Sequence, residues 1–329
     1  MITTKENLTE ENLAKEMDTI CKRLDIKSID EALRFPRYFQ IETVRICNAN
    51  CPFCLVSELD KSFPFMEDQL FDKIVDELSQ YSDWVTSVLL QRGGEPLLDK
   101  KLVNRIKKLK RIGIKHVIFS TNASLLNEKK AVELLDSGLD EISFSIDSII
   151  KEEYENLRRG LNFNTVMENI ERFFHLRKEK KPDLVIRVRG VFFHNKNIDE
   201  ELKKKERWEN YWKKFTMKHD RVYMSNLHNW GNSLKIDKYS PRCKTLYNPC
   251  IMHWSTMQII SSGKVPYCLT DYDGTSSHGD LNKQSIVDVW QSDSFNQARN
   301  IHSLGKRNEI DFCKGCTIWE PDFRLEGKS

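Results

Sequence analysis

Tyr38-Phe39-Gln40-Ile41-Glu42-Thr43-Val44-Arg45-Ile46 runs directly into Cys47-Asn48-Ala49-Asn50-Cys51-Pro52-Phe53-Cys54. The first stretch is rich in β-branched and aromatic residues and reads as a strand. The second sets three cysteines at C-x3-C-x2-C on the loop that leaves it. Downstream, β-type runs recur at Trp84–Leu90, His116–Ser120, Glu141–Ile146, Val185–Phe193 and Arg221–Met224. Between them lie amphipathic segments such as Leu70, Phe71, Ile74, Val75, Leu78 and Leu102, Val103, Ile106, Leu109, with helical spacing. The alternation predicts an α/β fold whose parallel sheet, joined by right-handed crossovers, is either open or curled into a barrel. In both arrangements chemistry sits beyond the C-terminal ends of the strands, where the cysteine loop falls.

Facing follows from the period of two. In the fourth strand Ile142, Phe144 and Ile146 meet the helix layer, and Ser143, Ser145 and Asp147 face the other way. In the fifth, Ile186, Val188 and Phe192 point outward, which sends Arg187 and Arg189 inward, where charge needs a polar ligand or a partner. Two polar inner walls predict a binding cavity. Ahead of the barrel, residues 1–36 read as a helical segment, with Ser28 placed to cap a helix that starts at Ile29. The barrel domain spans 37–225. From 226 to 329 the composition shifts to Asn, Gly, Ser, Pro and Cys, with a hairpin from Met257–Ser261 through Ser262-Gly263-Lys264 to Val265, and a second, smaller domain is expected.

Length and composition bound the class. A chain of 329 residues, 39% apolar and 31% charged with 13 Gly and 9 Pro, excludes collagen-like and low-complexity readings. Lys and Arg total 52 against 49 Asp and Glu, a near balance that supplies no field for nucleic acid or an anionic membrane. The first thirty residues lack a signal-peptide core and no stretch is as long and apolar as a membrane span, so a cytoplasmic location is expected. In that reducing setting, nine clustered cysteines read as metal or redox ligands rather than disulfides.

With Phe53 ahead of Cys54, the cysteine loop resembles the hallmark of the radical S-adenosylmethionine (SAM) superfamily. Gly93-Gly94-Glu95-Pro96, after the second strand, matches that family's second signature. The resemblance covers about Pro36 to Met224 and implies a partial (β/α)6 TIM-like barrel. It also implies a four-iron, four-sulfur cluster on Cys47, Cys51 and Cys54, with one iron left open for SAM. Phe53 would stand in the aromatic position, and Gly93, Gly94 and Glu95 would meet the SAM amino group. Asn122 and Ser145 would lie near its ribose or carboxylate, and Arg158 or Arg159 would pair with the carboxylate. On thiol count alone, a zinc site with a distant fourth ligand and a buried trio that binds nothing are the alternatives.

Cys250, Cys268, Cys313 and Cys316 form a second constellation, which would serve zinc as readily. Together with Trp254, Val265-Pro266-Tyr267-Cys268, Asp271-Tyr272-Asp273-Gly274 and Trp290, it resembles the twitch or SPASM auxiliary-cluster appendage and implies a second four-iron, four-sulfur cluster. The further cysteines of a full SPASM pattern are missing, so one auxiliary cluster is expected. This shorter form looks most like the dehydrogenases of aminocyclitol antibiotic precursors. Cys21 reads as packing, and Cys243 as inert, an occasional ligand or a hydrogen-atom donor.

The function implied is generation of a 5′-deoxyadenosyl radical that takes hydrogen from a carbon bearing a hydroxyl or amine. The substrate would be a polar small molecule such as a carbohydrate or aminocyclitol, oxidised by two electrons with the auxiliary cluster as acceptor. Arg187, Arg189, Asp147 and Asp271 are the candidates for substrate polarisation or proton removal, with structural ion pairing as the other reading. A flavodoxin or ferredoxin would supply electrons. The rival readings are epimerisation with Cys243 as donor, modification of a peptide side chain, and an iron–sulfur or zinc scaffold that cleaves no SAM.

Overall fold

The computed structural model describes residues 9–193, 198–227, 230, 247–314 and 316. It divides into two compact units, one made of Met1–Gln40 with His228–Ser329 and the other of Ile41–Leu227.

The chain opens with α1 (Glu10–Leu24) and α2 (Ile29–Arg34) and then enters β1 (Tyr38–Ile41). Thr9 caps α1 by accepting the Asn12 N–H at 3.2 Å. Ser28 occupies the N-cap position of α2, but its hydroxyl makes no capping bond. The Glu31 carboxylate reaches back to the Lys27 N–H instead, at 3.1 Å. The strand expected as far as Ile46 stops at Ile41 because the residues after it serve the loop. Glu42 and Arg45, both buried, form an ion pair at 2.7 Å, and Arg45 Nε donates to the Asp60 carbonyl.

The second unit continues with α3 (Asp68–Ser79), β2 (Ser87–Leu89), α4 (Leu102–Arg111), β3 (His116–Thr121), α5 (Glu128–Leu135) and β4 (Glu141–Ser145). It is completed by α6 (Lys151–Leu157), α7 (Phe163–Lys180), β5 (Val185–Phe192), α8 (Ile198–Lys213) and β6 (Arg221–Asn226). Strands β2 to β6 pair in sequence order and all in parallel, with Val88 opposite Val117, Phe119 opposite Ile142 and Ser145 opposite Arg189. This is the mixed α/β, partial TIM-like fold that the alternation and the resemblance predicted.

The outer face of the sheet is dry. Phe119, Phe144, Ile186 and Val188 are fully buried, and Phe144 meets Phe173 of α7 edge-on with ring centroids 5.5 Å apart. Each such side chain contributes roughly 1.5–3 kcal/mol of burial. Trp208 and Trp212 of α8 are core residues, and Trp208 Nε1 donates to the Ile146 carbonyl at 3.1 Å. Along β5, buried residues alternate with half-buried Arg187, Arg189 and Val191. The inner wall is therefore polar.

The remainder of the first unit comprises α9 (Met252–Ser255), β7 (Thr256–Ile259), β8 (Lys264–Pro266), β9 (Ser277–Asp280), α10 (Ile286–Trp290) and α11 (Asp293–Ser303). The turn after β7 forms, with Gly263 at φ +91° and its N–H on the Ile260 carbonyl. The ladder of β8 is made with β9, antiparallel, with Val265 opposite Gly279. Helices α1 and α2, which lie in the stretch 1–36 read from sequence as a segment of its own, join this unit: Ile20, Leu24 and Ala32 pack with Ile251 and Trp254. Trp290 Nε1 donates to the Ala32 carbonyl at 2.9 Å. Among the described residues no helix is long and apolar enough to cross a membrane.

Candidate active site

The cysteine loop is shaped by its own backbone. The Ala49 N–H points at Cys47 Sγ (3.4 Å), the Cys54 N–H bonds the Cys51 carbonyl (3.1 Å), and the Asn50 N–H bonds the Arg159 carbonyl (2.8 Å). Cys47 lies within electrostatic reach of both Cys51 and Cys54. Burial pushes the Cys47 thiol up to about 12 and raises Cys51 as well, the latter opposed by Arg158. Thiols this dry ionise only for a strong cation, so their burial together fits a metal-bound role. Among the described residues no three His, Cys, Asp or Glu side chains close around one ion.

Gly94 brings the second signature against this loop. Its φ is +60°, and a Cβ there would stand 2.3 Å from the Val44 carbonyl oxygen and 2.8 Å from that of Ile46. Only glycine permits that approach. The Glu95 N–H bonds the Ile46 carbonyl at 2.9 Å, and the Gly93 N–H bonds Glu42 Oε2 at 2.9 Å. The Glu95 carboxylate is buried and accepts from the Thr121 hydroxyl (2.6 Å), the Asn122 N–H (2.8 Å) and the Leu97 N–H (3.0 Å). Burial raises its pKa and these donors oppose the rise. Glu95 thus ties the glycine turn to the end of β3. From there Asn122 Nδ2 reaches Asn48 Oδ1 at 3.0 Å and lies 4.0 Å from Cys47 Sγ.

Arg158, at the end of α6, completes the circle. It pairs with Asp147 through two contacts, and its Nη1 lies 3.9 Å from Cys51 Sγ. Its guanidinium sits over the Phe53 ring, 5.2 Å from the centroid. Burial disfavours its charge, but Asp147 and the Cys51 sulfur more than compensate. Asp147 Oδ1 also accepts the Val191 N–H at 2.8 Å, so this carboxylate is engaged in holding the end of β4. Arg159 is exposed and takes part through its backbone carbonyl. Ser145 is half-buried, and Arg189, its neighbour in register, donates from Nε to Ser225 Oγ at 3.3 Å. Arg187 is paired with Glu141 at 2.5 Å, at the N-terminal end of the strands and away from the cysteine loop. Glu42, Arg45 and Asn48 were missed in the sequence; the one hint was charge interrupting the apolar alternation after Ile41.

The second thiol set lies in the other unit. Cys313 lies within electrostatic reach of Cys268, Cys250 and Cys316, and burial raises its pKa. Cys268 Sγ accepts the Thr270 N–H at 3.4 Å and lies 2.9 Å from its hydroxyl. Asp271 is buried and accepts the N–H groups of Tyr267 (3.0 Å), Thr275 (3.0 Å) and Ser276 (3.2 Å), so it shapes the loop that carries Cys268. Three histidines, unremarked in the sequence, are buried nearby: His253, His278 and His302. Cys243 lies outside the described residues.

Family comparison matches residues 41–204 to the radical SAM superfamily and residues 250–317 to SPASM, an iron-sulfur cluster-binding domain. The chain carries a radical SAM domain followed by a SPASM domain. Its cofactors are therefore SAM and iron–sulfur clusters, and both thiol sets fit them. Similar proteins include GTP 3′,8-cyclases of Limosilactobacillus fermentum, 31% identical over 50% of this chain and 49% of that one, and of Desulforamulus reducens, 29% identical over 50% and 51%. The chain spans about half the length of the curated relatives it matches. The fold is shared with BtrN in complex with AdoMet and 2-DOIA (TM-score 0.57, 19% identical, covering 85% of this chain and 92% of BtrN). It is shared also with AdoMet-bound anSMEcpe (0.60, 18%, 85% and 89%) and with Streptococcus suis SuiB bound to its precursor peptide SuiA (0.61, 16%, 85% and 69%).

Proposed function

We propose that this radical SAM protein is an oxidoreductase that removes two electrons and two protons from a hydroxyl- or amine-bearing carbon of a polar small molecule, a carbohydrate or aminocyclitol. The observation that carries the reading is the cysteine count. Seven of the nine cysteines supply the three-thiol loop and one four-thiol set, and Cys21 and Cys243 are too few for another four-thiol cluster. One auxiliary acceptor suits a single two-electron oxidation, and the fold is shared with BtrN, which was solved in complex with AdoMet and 2-DOIA.

When bound, SAM on the first cluster would supply hydrogen-atom abstraction, and the second cluster would supply acceptance of one electron. The chain's own residues would do the placing. Cys47, Cys51 and Cys54 would hold the first cluster, and Cys250, Cys268, Cys313 and Cys316 the second. Gly93 and Gly94 would let the backbone approach the SAM amino group, with Asn122 and Ser145 near its ribose or carboxylate and Arg158 beside the carboxylate. Asp147 and Asp271, both occupied by structural bonds, would hold the framework. Arg189 on the polar inner wall is then the residue we assign to a substrate hydroxyl. A small ferredoxin or flavodoxin would be the electron donor, and no nucleic acid or membrane is required.

A nucleotide substrate is the second reading, favoured by the identity to proteins named GTP 3′,8-cyclase. Epimerisation through Cys243 is the third. Anaerobic reconstitution followed by a screen of aminocyclitols, sugars, peptides and GTP for substrate-dependent 5′-deoxyadenosine separates these. A product two mass units lighter supports oxidation. An isomer carrying solvent deuterium on carbon supports epimerisation, and turnover with GTP alone contradicts the carbohydrate reading.

A further inference from the structure

His302 sits in the last turn of α11, fully buried, and touches two of the four thiol-bearing residues at once. Its Nδ1 accepts the backbone N–H of Cys250 at 3.0 Å. A backbone N–H is only ever a donor, so Nδ1 carries no proton and the ring's proton sits on Nε2. That nitrogen lies 3.6 Å from Cys313 Sγ. The ring is held by its neighbours, with the His253 centroid 4.3 Å away and that of Trp254 6.4 Å away. One imidazole therefore takes a proton donor from the Cys250 segment and offers one to the Cys313 sulfur.

We propose that His302 is a positioning residue for the auxiliary cluster, fixing the Cys250 and Cys313 segments and, through its Nε2–H bond to the Cys313 thiolate, raising the cluster's reduction potential. Reduction adds one electron and no proton, so negative charge grows on the sulfur ligands. A donor aimed at one of them stabilises the reduced state more than the oxidised one, and hydrogen bonds to sulfur are among the factors that set such potentials. In this dry setting the effect is not diluted by water. The consequence is an acceptor better able to take the electron left by substrate oxidation. The inference rests on the four thiols holding a cluster.

The test uses the full chain with Cys47, Cys51 and Cys54 changed to Ala, so that the auxiliary cluster alone gives a signal. Iron and sulfide are counted after anaerobic reconstitution, and the midpoint is read by EPR-monitored titration. His302→Phe keeps a ring and removes the donor. Its reduced-to-oxidised ratio at fixed potential should fall about tenfold, ~59 mV for a one-electron couple. His302→Gln restores an N–H near the Nε2 position and should recover most of the shift. An unchanged midpoint in fully loaded His302→Phe overturns the proposal. Should that variant fail to load, the unsubstituted His302 protein with 15N-histidine decides: pulsed EPR of the reduced cluster should show one weakly coupled histidine nitrogen and a proton lost in D2O, and their absence overturns it. Failure of the chain with His302 intact to bind iron and sulfide overturns the cluster reading, and this inference with it.

Discussion

Arg158 grips Asp147 with two prongs, Nε to Oδ2 at 2.5 Å and Nη2 to Oδ1 at 3.2 Å, while its third nitrogen faces Cys51 Sγ. The pair binds the end of α6 to the end of β4 and sets a fixed positive charge beside a buried thiol. A guanidinium does this where an ammonium would not, because its planar fork serves both neighbours together.

Arg158→Gln should therefore leave a buried carboxylate uncompensated and cost about 3–5 kcal/mol of stability in the barrel unit. Urea unfolding of the metal-free chain measures it, and iron loading of the first cluster should fall in parallel. A change below about 1 kcal/mol would assign the pair to the solvent-screened class.

Gly94→Ala puts a methyl 2.3 Å from the Val44 carbonyl and demands a positive φ. Ile46, one residue ahead of Cys47, shares the clash, so the turn and the cysteine loop must separate. SAM affinity of the reconstituted protein, read by isothermal titration, should drop at least tenfold, whereas Gly113→Ala, whose Cβ has ordinary clearance from Ser82, should leave it close to the parent value.

Burial lowers the pKa of His278 to about 4, and its ring stacks on Phe295 with centroids 3.8 Å apart. Above pH 6.5 both folded and unfolded chains hold it neutral. As pH falls from 6.5 toward 4, the unfolded chain takes up a proton that the folded chain refuses, so stability is lost across that window, by about 2 kcal/mol at pH 5. In His278→Phe the unfolding free energy of the metal-free chain should differ less between pH 7.5 and pH 5, by roughly that amount. Parallel pH profiles for the two proteins would argue against a neutral, buried His278.

The β-α alternation, the cysteine loop and the glycine turn were all legible in the sequence, because each depends on local spacing. What was hidden depends on partners far along the chain. Glu42 and Arg45 looked like ordinary strand residues, and only folding brings Glu42 to the Gly93 N–H. The inward facing of Arg187 and Arg189 followed from period two, but nothing local revealed that Arg187 is spent on Glu141. Asp147 and Asp271 read as candidate bases because a sequence shows a carboxyl and not the N–H groups it already accepts. The buried histidines escaped notice for the same reason, since His302 and its two cysteine partners come from separate segments.

The account turns on whether the Cys47, Cys51 and Cys54 site splits SAM. Anaerobically reconstituted, dithionite-reduced chain incubated with SAM should release 5′-deoxyadenosine and methionine in equal amounts, and changing the three cysteines to Ala should abolish both while the auxiliary cluster stays loaded. Fully loaded protein that forms no 5′-deoxyadenosine, or a triple variant that forms as much as the parent, would contradict it.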